Sequence, residues 1–432
     1  MSKLIDYIKT NILNLTQQSV ILVAAFGIAV SPFVVDYNTL PKGYELPKVF
    51  FYQAVCIIIL VLAFIAAALK QKNKTKFKVP KSLYVVLITT VLFILSALLS
   101  KHIEVAIWGN SFRFQGLITY LLLLWATYGV YCNISYANWH LLSLGLIFST
   151  VIQSASAYNQ FTELARINPD SILDGVWVNG TFGQANWFAG RLLLAIILSA
   201  YYLGLRLHRN LTLRLIFKLY FAILIFIFIA VLGLTQSGWG MISGGFAIAL
   251  IIFYELLPRK IFIALISIGI VLAAIGAIIF VNSGPEYNLR IDILNSILTI
   301  LNQPFNVNQL KILALGFGFD TLGEVFRDYG LIKGLLVDRA HNFILDIIIQ
   351  NGFIVLGIFT GLIVRIFRNL FSNNKNRILD FSFIVIIAWM FRSVIHENGI
   401  VNIVDFLFFF AITIAFSSKK LHSLDSINSK QS

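Results

Sequence analysis

The feature that most constrains this chain is a series of apolar segments, each about 20 residues long, separated by short polar stretches. Only helices and closed barrels satisfy all their backbone groups in lipid, so these segments predict membrane-spanning helices. Only 12% of the residues are charged, against about 25% in soluble domains. We predict an all-α, polytopic integral membrane protein with spans at 17–35, 47–69, 82–100, 115–133, 136–157, 186–205, 215–234, 240–257, 261–282, 342–364, 379–396 and 401–418.

The distribution of lysine and arginine predicts how the chain is oriented. If the N-terminus is cytoplasmic, the inner loops and tails hold most of the 33 basic residues, including the lysine-rich stretch 70–81. Cytoplasmic loops of membrane proteins carry this excess of positive charge. Lys3 and Lys9 precede the first apolar run, which we interpret as an uncleaved span. We therefore expect a cytoplasmic (inner) membrane protein with both termini in the cytoplasm.

The segments between the predicted spans define the domain organisation. We expect one membrane domain over residues 1–432, with outer loops at 158–185 and 283–341 and a disordered tail at 421–432. In the larger loop, Leu289, Ile293, Ile297 and Ile300 recur at helical spacing and predict an amphipathic helix on the bundle or the membrane surface. Gly316-Phe317-Gly318 predicts a turn, and 321–329 a second short helix.

Several classes of function are disfavoured by the sequence. The formal net charge of +14 follows the membrane topology, so it does not indicate a nucleic-acid partner. Cys56 and Cys132 both lie in apolar runs, which argues against a disulfide framework or a cysteine metal site. The sequence contains no HExxH, P-loop, GxSxG or Asp-x-Asp motif. We therefore expect neither a metal nor a cofactor.

Ionisable residues inside the predicted spans point to a polar site near the outer face. Arg191, Arg392 with His396, and Asp346 each cost at least about 2.5–3.5 kcal/mol to insert, so such residues usually line a cavity. Each also has a structural interpretation: Arg191 reaching outer headgroups, Arg392 paired with its neighbours, Asp346 paired with another helix. A polar or anionic ligand at the outer leaflet is the functional interpretation.

His341 stands out among these residues because it follows a long polar loop directly at the mouth of a predicted span. An imidazole can take a proton from a hydroxyl group near neutral pH, which suits a general base. The structural alternative is an interfacial residue at a helix start, without chemistry. Residues on either side of it help to decide between the two.

Five short motifs lie within the large loop and on both sides of it, namely Arg113-Phe114-Gln115-Gly116-Leu117, Gly180-Thr181-Phe182-Gly183-Gln184-Ala185-Asn186, Arg290-Ile291-Asp292-Ile293-Leu294, Gly316-Phe317-Gly318, and His341-Asn342 with Gly352. Together they resemble the O-antigen ligase and polymerase superfamily of bacterial membrane glycosyltransferases. The likeness covers roughly residues 105–415. In two places the chain departs from the family pattern: an expected arginine is absent near Gly238, and Val355 replaces Gly, Thr or Tyr.

The resemblance implies transfer of a glycan from an undecaprenyl-diphosphate donor to a hydroxyl of a lipid A core, another glycan or a protein. It implies metal-independent inversion at the outer face, with His341 and Arg290 as catalytic residues. The implied substrate-binding residues are Arg191, Asn186, Arg113, Asn342 and Arg339. Ligase, chain polymerase and protein O-oligosaccharyltransferase all remain open, and a polyprenyl-glycan transporter or flippase is the alternative from another class. A purely structural scaffold gives no reason for buried basic residues.

Overall fold

The computed structural model describes residues 2–36, 45–71, 80–167, 178–205, 210–262, 264, 287–303, 306–330, 339–372, 376–393 and 399–418. The described residues form helices joined by turns and contain no strands. The helices are α1 (Ser2–Val30), α2 (Leu46–Gln71), α3 (Lys81–Leu98), α4 (Ile103–Trp108), α5 (Leu117–Asn133), α6 (Trp139–Ile167), α7 (Ala185–Leu203), α8 (Leu211–Leu234), α9 (Gly238–Leu256), α10 (Tyr287–Leu301), α11 (Val307–Leu315), α12 (Leu322–Asp328), α13 (Phe343–Ser372), α14 (Arg377–Ser393) and α15 (Ile400–Ser418).

The all-helical fold class is confirmed, and so is its polytopic character. Within the described residues, nine helices are long and apolar enough to cross a membrane. Helix α5, with 17 residues, is a shorter apolar helix, and α14 coincides with a further predicted span. The predicted span at 261–282 lies almost entirely outside the described residues. A count of twelve spans therefore stays a prediction.

Helix α7 forms the centre of the bundle. Every residue from Ala185 to Tyr202 is buried, although the helix carries Arg191. Helices α6, α8, α9 and α14 pack around it, and α15 packs against α14, α5 and α13. A helix that is apolar on all sides is typical of the centre of a large bundle. The lipid-facing side chains lie instead on helices such as α8, where Leu219 and Phe226 are exposed.

The ends of successive helices meet at two opposite ends of the bundle, as the predicted alternation of spans requires. At one end, Lys48 Nζ donates to the Thr181 carbonyl over 2.6 Å, joining the start of α2 to the loop before α7. At the other end, Arg259 pairs with Asp380 at 2.7 Å. We call the first the outer end and the second the inner end, following the predicted topology.

We use the name lid for the described residues 287–303, 306–330 and 339–342. Helices α10 and α12 confirm the two helices predicted there, whereas α11 was not predicted. Ile293, Ile297 and Ile300 form the buried face of α10, and they pack with α12 and with Ile349 of α13. The buried face of this amphipathic helix thus packs against the rest of the lid and against the bundle. The side chain of Leu289 is outside the described part.

Helix α13 is broken at Gly352, which has a φ of +74°. The lid turn fills the break: Phe317 N donates to the Ile349 carbonyl over 2.7 Å, and Gly318 N donates to the Gln350 carbonyl over 3.0 Å. These bonds satisfy carbonyls that an unbroken helix would satisfy internally. The lid is therefore joined to a membrane helix through backbone hydrogen bonds. The sequence prediction of an uninterrupted span at 342–364 missed this break.

Helix α6 differs from the prediction at its outer end. The predicted span stops at residue 157, but the helix continues through Ile167. The prediction ended the span where polar residues begin, whereas a helix persists as long as its backbone bonds are made. The helix thus takes up the beginning of the predicted loop 158–185, and residues 168–177 of that loop lie outside the described residues.

Candidate functional site

An apolar groove runs along the bundle between α3, α5, α13 and α15. Its cavity volume is about 280 Å³. Side chains such as Phe93, Phe359 and Phe410 line its walls, whereas Arg339 lies at its outer end and Arg365 at its inner end. The mainly apolar walls suit a long hydrocarbon chain, and Arg339 suits a polar head group at the outer end of that chain.

Arg339 is the buried cation at the outer end of the groove, and it is only 4% exposed. Its Nη2 lies 3.1 Å from Asp320 Oδ1 and donates to Gln115 Oε1 over 2.9 Å. Its Nε is buried and has no hydrogen-bond partner within the described residues. Burial disfavours the charged form, but Tyr120 and Asp320 raise the pKa of Arg339 above its ordinary value. The guanidinium therefore stays charged and keeps one donor for a ligand.

A chain of hydrogen bonds ties Arg339 to the rest of the outer end. Gln115, which accepts from Arg339, donates through Nε2 to Glu45 Oε2 over 3.0 Å. The same Glu45 oxygen accepts from the Ile400 backbone N–H at 3.1 Å. Asp320 Oδ2 accepts from the Asn110 backbone N–H at 2.8 Å. The lid and the starts of α2, α5 and α15 thus hold the guanidinium in one orientation.

His341 lies next to this network, partly exposed, at the end of the lid. Asp346 Oδ1 accepts from the Ala340 backbone N–H at 2.8 Å and so fixes the turn that carries the imidazole. Arg339, His341 and Arg113 all interact electrostatically with the Asp346 carboxylate. The predicted residues Arg113, Arg339 and His341 therefore lie within electrostatic range of the Asp346 carboxylate, and we call these four residues the charged cluster.

Backbone strain is concentrated at the same end of the bundle. Within the described residues, four side-chain-bearing residues have positive φ: Phe114, Gln236, Asp320 and His341. His341 has a φ of +52° and Asp320 one of +59°. Such conformations cost about 1–3 kcal/mol each and cluster at functional sites, where the surrounding structure holds them in place. The strain at His341 and at the partner of Arg339 agrees with a functional site here.

Two of the predicted binding residues have structural partners. The Asn342 Oδ1 accepts from the backbone N–H groups of Ile344 and Leu345, at 2.9 and 3.1 Å, and so caps α13. Asn186 accepts a hydrogen bond from the Ser237 hydroxyl through Oδ1, and another from Arg392 through its carbonyl. Asn342 thus caps the helix that follows His341, and Asn186 joins the start of α7 to α9 and α14.

Arg191 lies in the bundle core and is fully buried. It forms an ion pair with Asp405 of α15, and its Nη2 donates to the Ile28 carbonyl over 2.7 Å and to Ser149 Oγ over 2.6 Å. A fully buried arginine with these partners joins four helices. This geometry gives Arg191 a structural role, and we leave it out of the site in spite of the sequence prediction.

Other predicted residues lie where the structure gives no side-chain information. Arg290 belongs to α10, but its side chain lies outside the described part, as do His396 and Glu397. Among the residues described, no group of three His, Cys, Asp or Glu side chains is placed to hold a metal ion. Metal independence stays a prediction.

The sequence interpretation missed several residues of the outer end, namely Glu45, Lys48, Gln115 and Asp320. Lys48 could have been found, because it is a charged residue within a predicted span. The same signal applies to Asp405, the partner of Arg191 in the bundle core. Glu45 and Asp320 carried no such signal, since acids in polar loops are ordinary. Gln115 belongs to the Arg113–Leu117 motif, but no role was predicted for it.

Comparisons of the chain with models of protein families, with curated proteins and with solved structures found no match. The likeness to the O-antigen ligase and polymerase superfamily therefore consists of short motifs only. What the protein does is inferred from those motifs and from the groove with its charged outer end.

Proposed function

We propose that this protein is a membrane glycosyltransferase that passes a glycan from an undecaprenyl-diphosphate carrier to an acceptor hydroxyl. The observation that carries the proposal is the apolar groove with the buried Arg339 at its outer end. The motif likeness to O-antigen ligases points to the same substrate class. Lipid A core, a second glycan or a protein would supply the hydroxyl.

The groove matches the two chemical parts of such a donor. Walls such as Phe359 and Phe410 provide an apolar surface that a polyprenyl chain can contact without leaving an apolar environment. The diphosphate would lie at Arg339, because a guanidinium stays charged and its hydrogen bonds to phosphate oxygens are charge-assisted. Arg113 adds a second positive charge to the same cluster. Arg290 remains a proposed further contact.

The chemical step needs a base and a neutralised leaving group. In the proposed mechanism, His341 takes the proton of the acceptor hydroxyl, and the oxygen of that hydroxyl forms the new bond to the anomeric carbon. The bond from that carbon to the diphosphate breaks, and undecaprenyl diphosphate leaves with the electron pair, neutralised by Arg339. This single displacement inverts the anomeric centre. A general base of this kind contributes about 10²–10⁴-fold to the rate.

A flippase or transporter is the rival from another class. Such a protein must carry the polar glycan through the bilayer, which requires polar walls along the path. The groove walls are mainly aromatic and aliphatic between Arg339 and Arg365. They suit a lipid chain better than a glycan, which favours the enzyme.

Reconstituted protein in liposomes tests the proposal directly. Undecaprenyl-diphosphate-linked glycan is supplied with a lipid A core, with excess donor alone, or with a serine-containing protein, and released undecaprenyl diphosphate is measured. Transfer to the first, second or third acceptor identifies a ligase, a polymerase or a protein glycosyltransferase. Translocation of intact donor without bond cleavage by folded protein would contradict the proposal.

Two valines on α13 offer a matched test of the groove. Val355 lines the groove, whereas Val364 is 58% exposed and does not line it. The two are nine residues apart, which places them on opposite faces of the helix at about 3.6 residues per turn. We expect Val355→Phe to weaken donor binding and Val364→Phe to leave it unchanged. Equal effects of the two substitutions would remove the groove from the proposal.

The proposed location is the cytoplasmic (inner) membrane, with both termini in the cytoplasm and the site facing outward. Asn308 is exposed on α11 of the lid, and Cys132 is the exposed native cysteine. In a Cys132→Ser background, Asn308→Cys should react with a membrane-impermeant maleimide in cells whose outer layer admits the reagent. Labelling only after lysis of the inner membrane would reverse the orientation.

A further inference from the structure

A second cavity, of about 380 Å³, lies between the lid and residues 99–102, beside the lid turn that fills the break in α13. We call it the lid pocket. Phe317 of the turn lines the lid pocket, whereas Phe319, two residues later, lines the apolar groove. The two cavities are therefore neighbours on either side of this turn. A molecule in the lid pocket would lie beside the outer end of the groove.

Positive charge predominates in the lid pocket. Lys101, His102 and Lys311 line it, together with the single acid Asp328. Asp328 lies 3.0 Å from the Lys101 ammonium and 2.7 Å from His102 Nε2. Lys311 donates instead to the Leu99 carbonyl, which is neutral. Even with a neutral imidazole, two ammonium groups face one carboxylate, so the pocket has a surplus positive charge.

The remaining lining adds features that suit a sugar ring. Phe317 and Tyr329 meet edge to face, with their ring centroids 6.4 Å apart. Sites for small polar molecules combine aromatic surface with a few placed polar groups, and Asn308 is one of these here. The Lys101 side chain is 74% exposed, so the charged edge of the pocket is open to solvent.

We propose that the lid pocket binds an anionic sugar residue, carrying a carboxylate or a phosphate, of the acceptor. This inference rests on the proposed function, because the pocket adjoins the outer end of the donor groove. An ammonium group and a carboxylate or phosphate form charge-assisted hydrogen bonds, which are roughly twice as strong as neutral ones. A neutral sugar would meet the aromatic wall but not this surplus charge.

Binding without any donor tests this inference separately from catalysis. The probes are a glucuronate-containing trisaccharide, its neutral methyl ester and the corresponding 6-phosphorylated trisaccharide, each measured by calorimetry on purified full-length protein. We expect both anionic probes to bind about tenfold more tightly than the ester, as one charge-assisted hydrogen bond allows. The preference should weaken as salt is raised.

Substitutions assign the preference to the lid pocket. Lys101→Gln together with Lys311→Gln should abolish the difference between the acidic probe and its ester. Lys218→Gln, at an exposed position on α8 near the inner end, is the matched control and should leave the difference intact. Equal affinities in the unmodified protein, or a preference that survives the double substitution, would overturn the inference. If the unmodified protein prefers the anionic probes but releases no undecaprenyl diphosphate from the donor, only the proposed function is contradicted.

Discussion

The guanidinium of Arg339 and the carboxylate of Asp320 lie 3.1 Å apart, and both side chains are buried. Asp320 follows the lid turn that enters the break in α13, whereas Arg339 stands just before that helix begins. The pair therefore joins two separate segments of the lid at the outer end of the groove. It holds the charge that the proposed donor diphosphate would meet.

Removing the acid of this pair should destabilise the protein strongly. Asp320→Asn removes the carboxylate that lies 3.1 Å from the buried Arg339, and breaking a buried pair costs about 3–5 kcal/mol. Glu324→Gln is the control, because Arg327, its partner at 2.6 Å, is 69% exposed. Exposed pairs contribute about 0–1 kcal/mol. Denaturant unfolding in detergent should separate the two variants, and similar small losses in both would contradict the buried pair.

Gly352 should be intolerant of even a methyl group. It has a φ of +74°, and a Cβ there would lie far inside contact distance of the Ala314 backbone. Gly352→Ala should detach the lid from α13, which limited proteolysis would detect as faster cleavage in the lid. Gly357→Ala, on the same helix with open space around it, should behave as the unmodified protein. Equal cleavage rates in the two variants would show that the lid does not depend on this break.

The lid should loosen at acidic pH because of Asp328. Burial is the largest single influence on the pKa of Asp328 and raises it, but the hydrogen bonds from Lys101 and His102 and their positive charges together hold this pKa below its ordinary value. A depressed folded-state pKa stabilises the fold above the unfolded-state pKa of about 3.9, and this stabilisation is lost as pH falls through the folded-state pKa.

Proteolysis of the lid across pH 2–6, with an acid-stable protease, checks this dependence. The loss should occur below about pH 4, and Asp328→Asn should remove that part of the pH dependence. A transition of the same size in the variant would assign the effect to other carboxylates.

Turnover should not require a metal ion. Arginines are permanently charged, so Arg339 and Arg113 can neutralise a leaving diphosphate without loading an ion. Activity of the reconstituted protein should be unchanged after treatment with EDTA. Complete loss on chelation, with recovery on adding magnesium or manganese, would replace the arginine mechanism by one built on acids of the lid.

The sequence predicted most of the helices, because apolar segments of spanning length leave few alternatives. It also predicted α10 and α12, whose buried faces repeat at helical spacing. The break at Gly352 could not be predicted in this way, since it depends on the Phe317 and Gly318 amides of a distant turn. The apolar sequence of a span does not reveal which distant backbone amides will bond to the carbonyls that a break leaves without a helical donor.

The site was predicted only in part, for a similar reason. His341 and Arg113 belong to the motifs, Arg339 was predicted as a binding residue beside His341, and the structure places all three around Asp346. The partner Asp320 was missed because a loop acid has no local signal. Arg191 was recognised as unusual, but its ion pair with Asp405 depends on the packing of α7 against α15.

Substitution of His341 tests the central claim most directly. His341 has a positive φ, which asparagine tolerates well, and an amide cannot accept the proton. His341→Asn should therefore fold and bind undecaprenyl-diphosphate-linked glycan normally. His140→Asn is the control, since that imidazole bonds to the Tyr202 hydroxyl at the inner end, away from the groove.

The decisive measurement is the rate at which reconstituted protein releases undecaprenyl diphosphate from a donor in the presence of acceptor. A lost general base should lower this rate by about 10²–10⁴-fold in His341→Asn, with donor affinity retained and His140→Asn near normal. Near-normal release by folded His341→Asn would contradict the catalytic assignment and leave His341 as an interfacial residue.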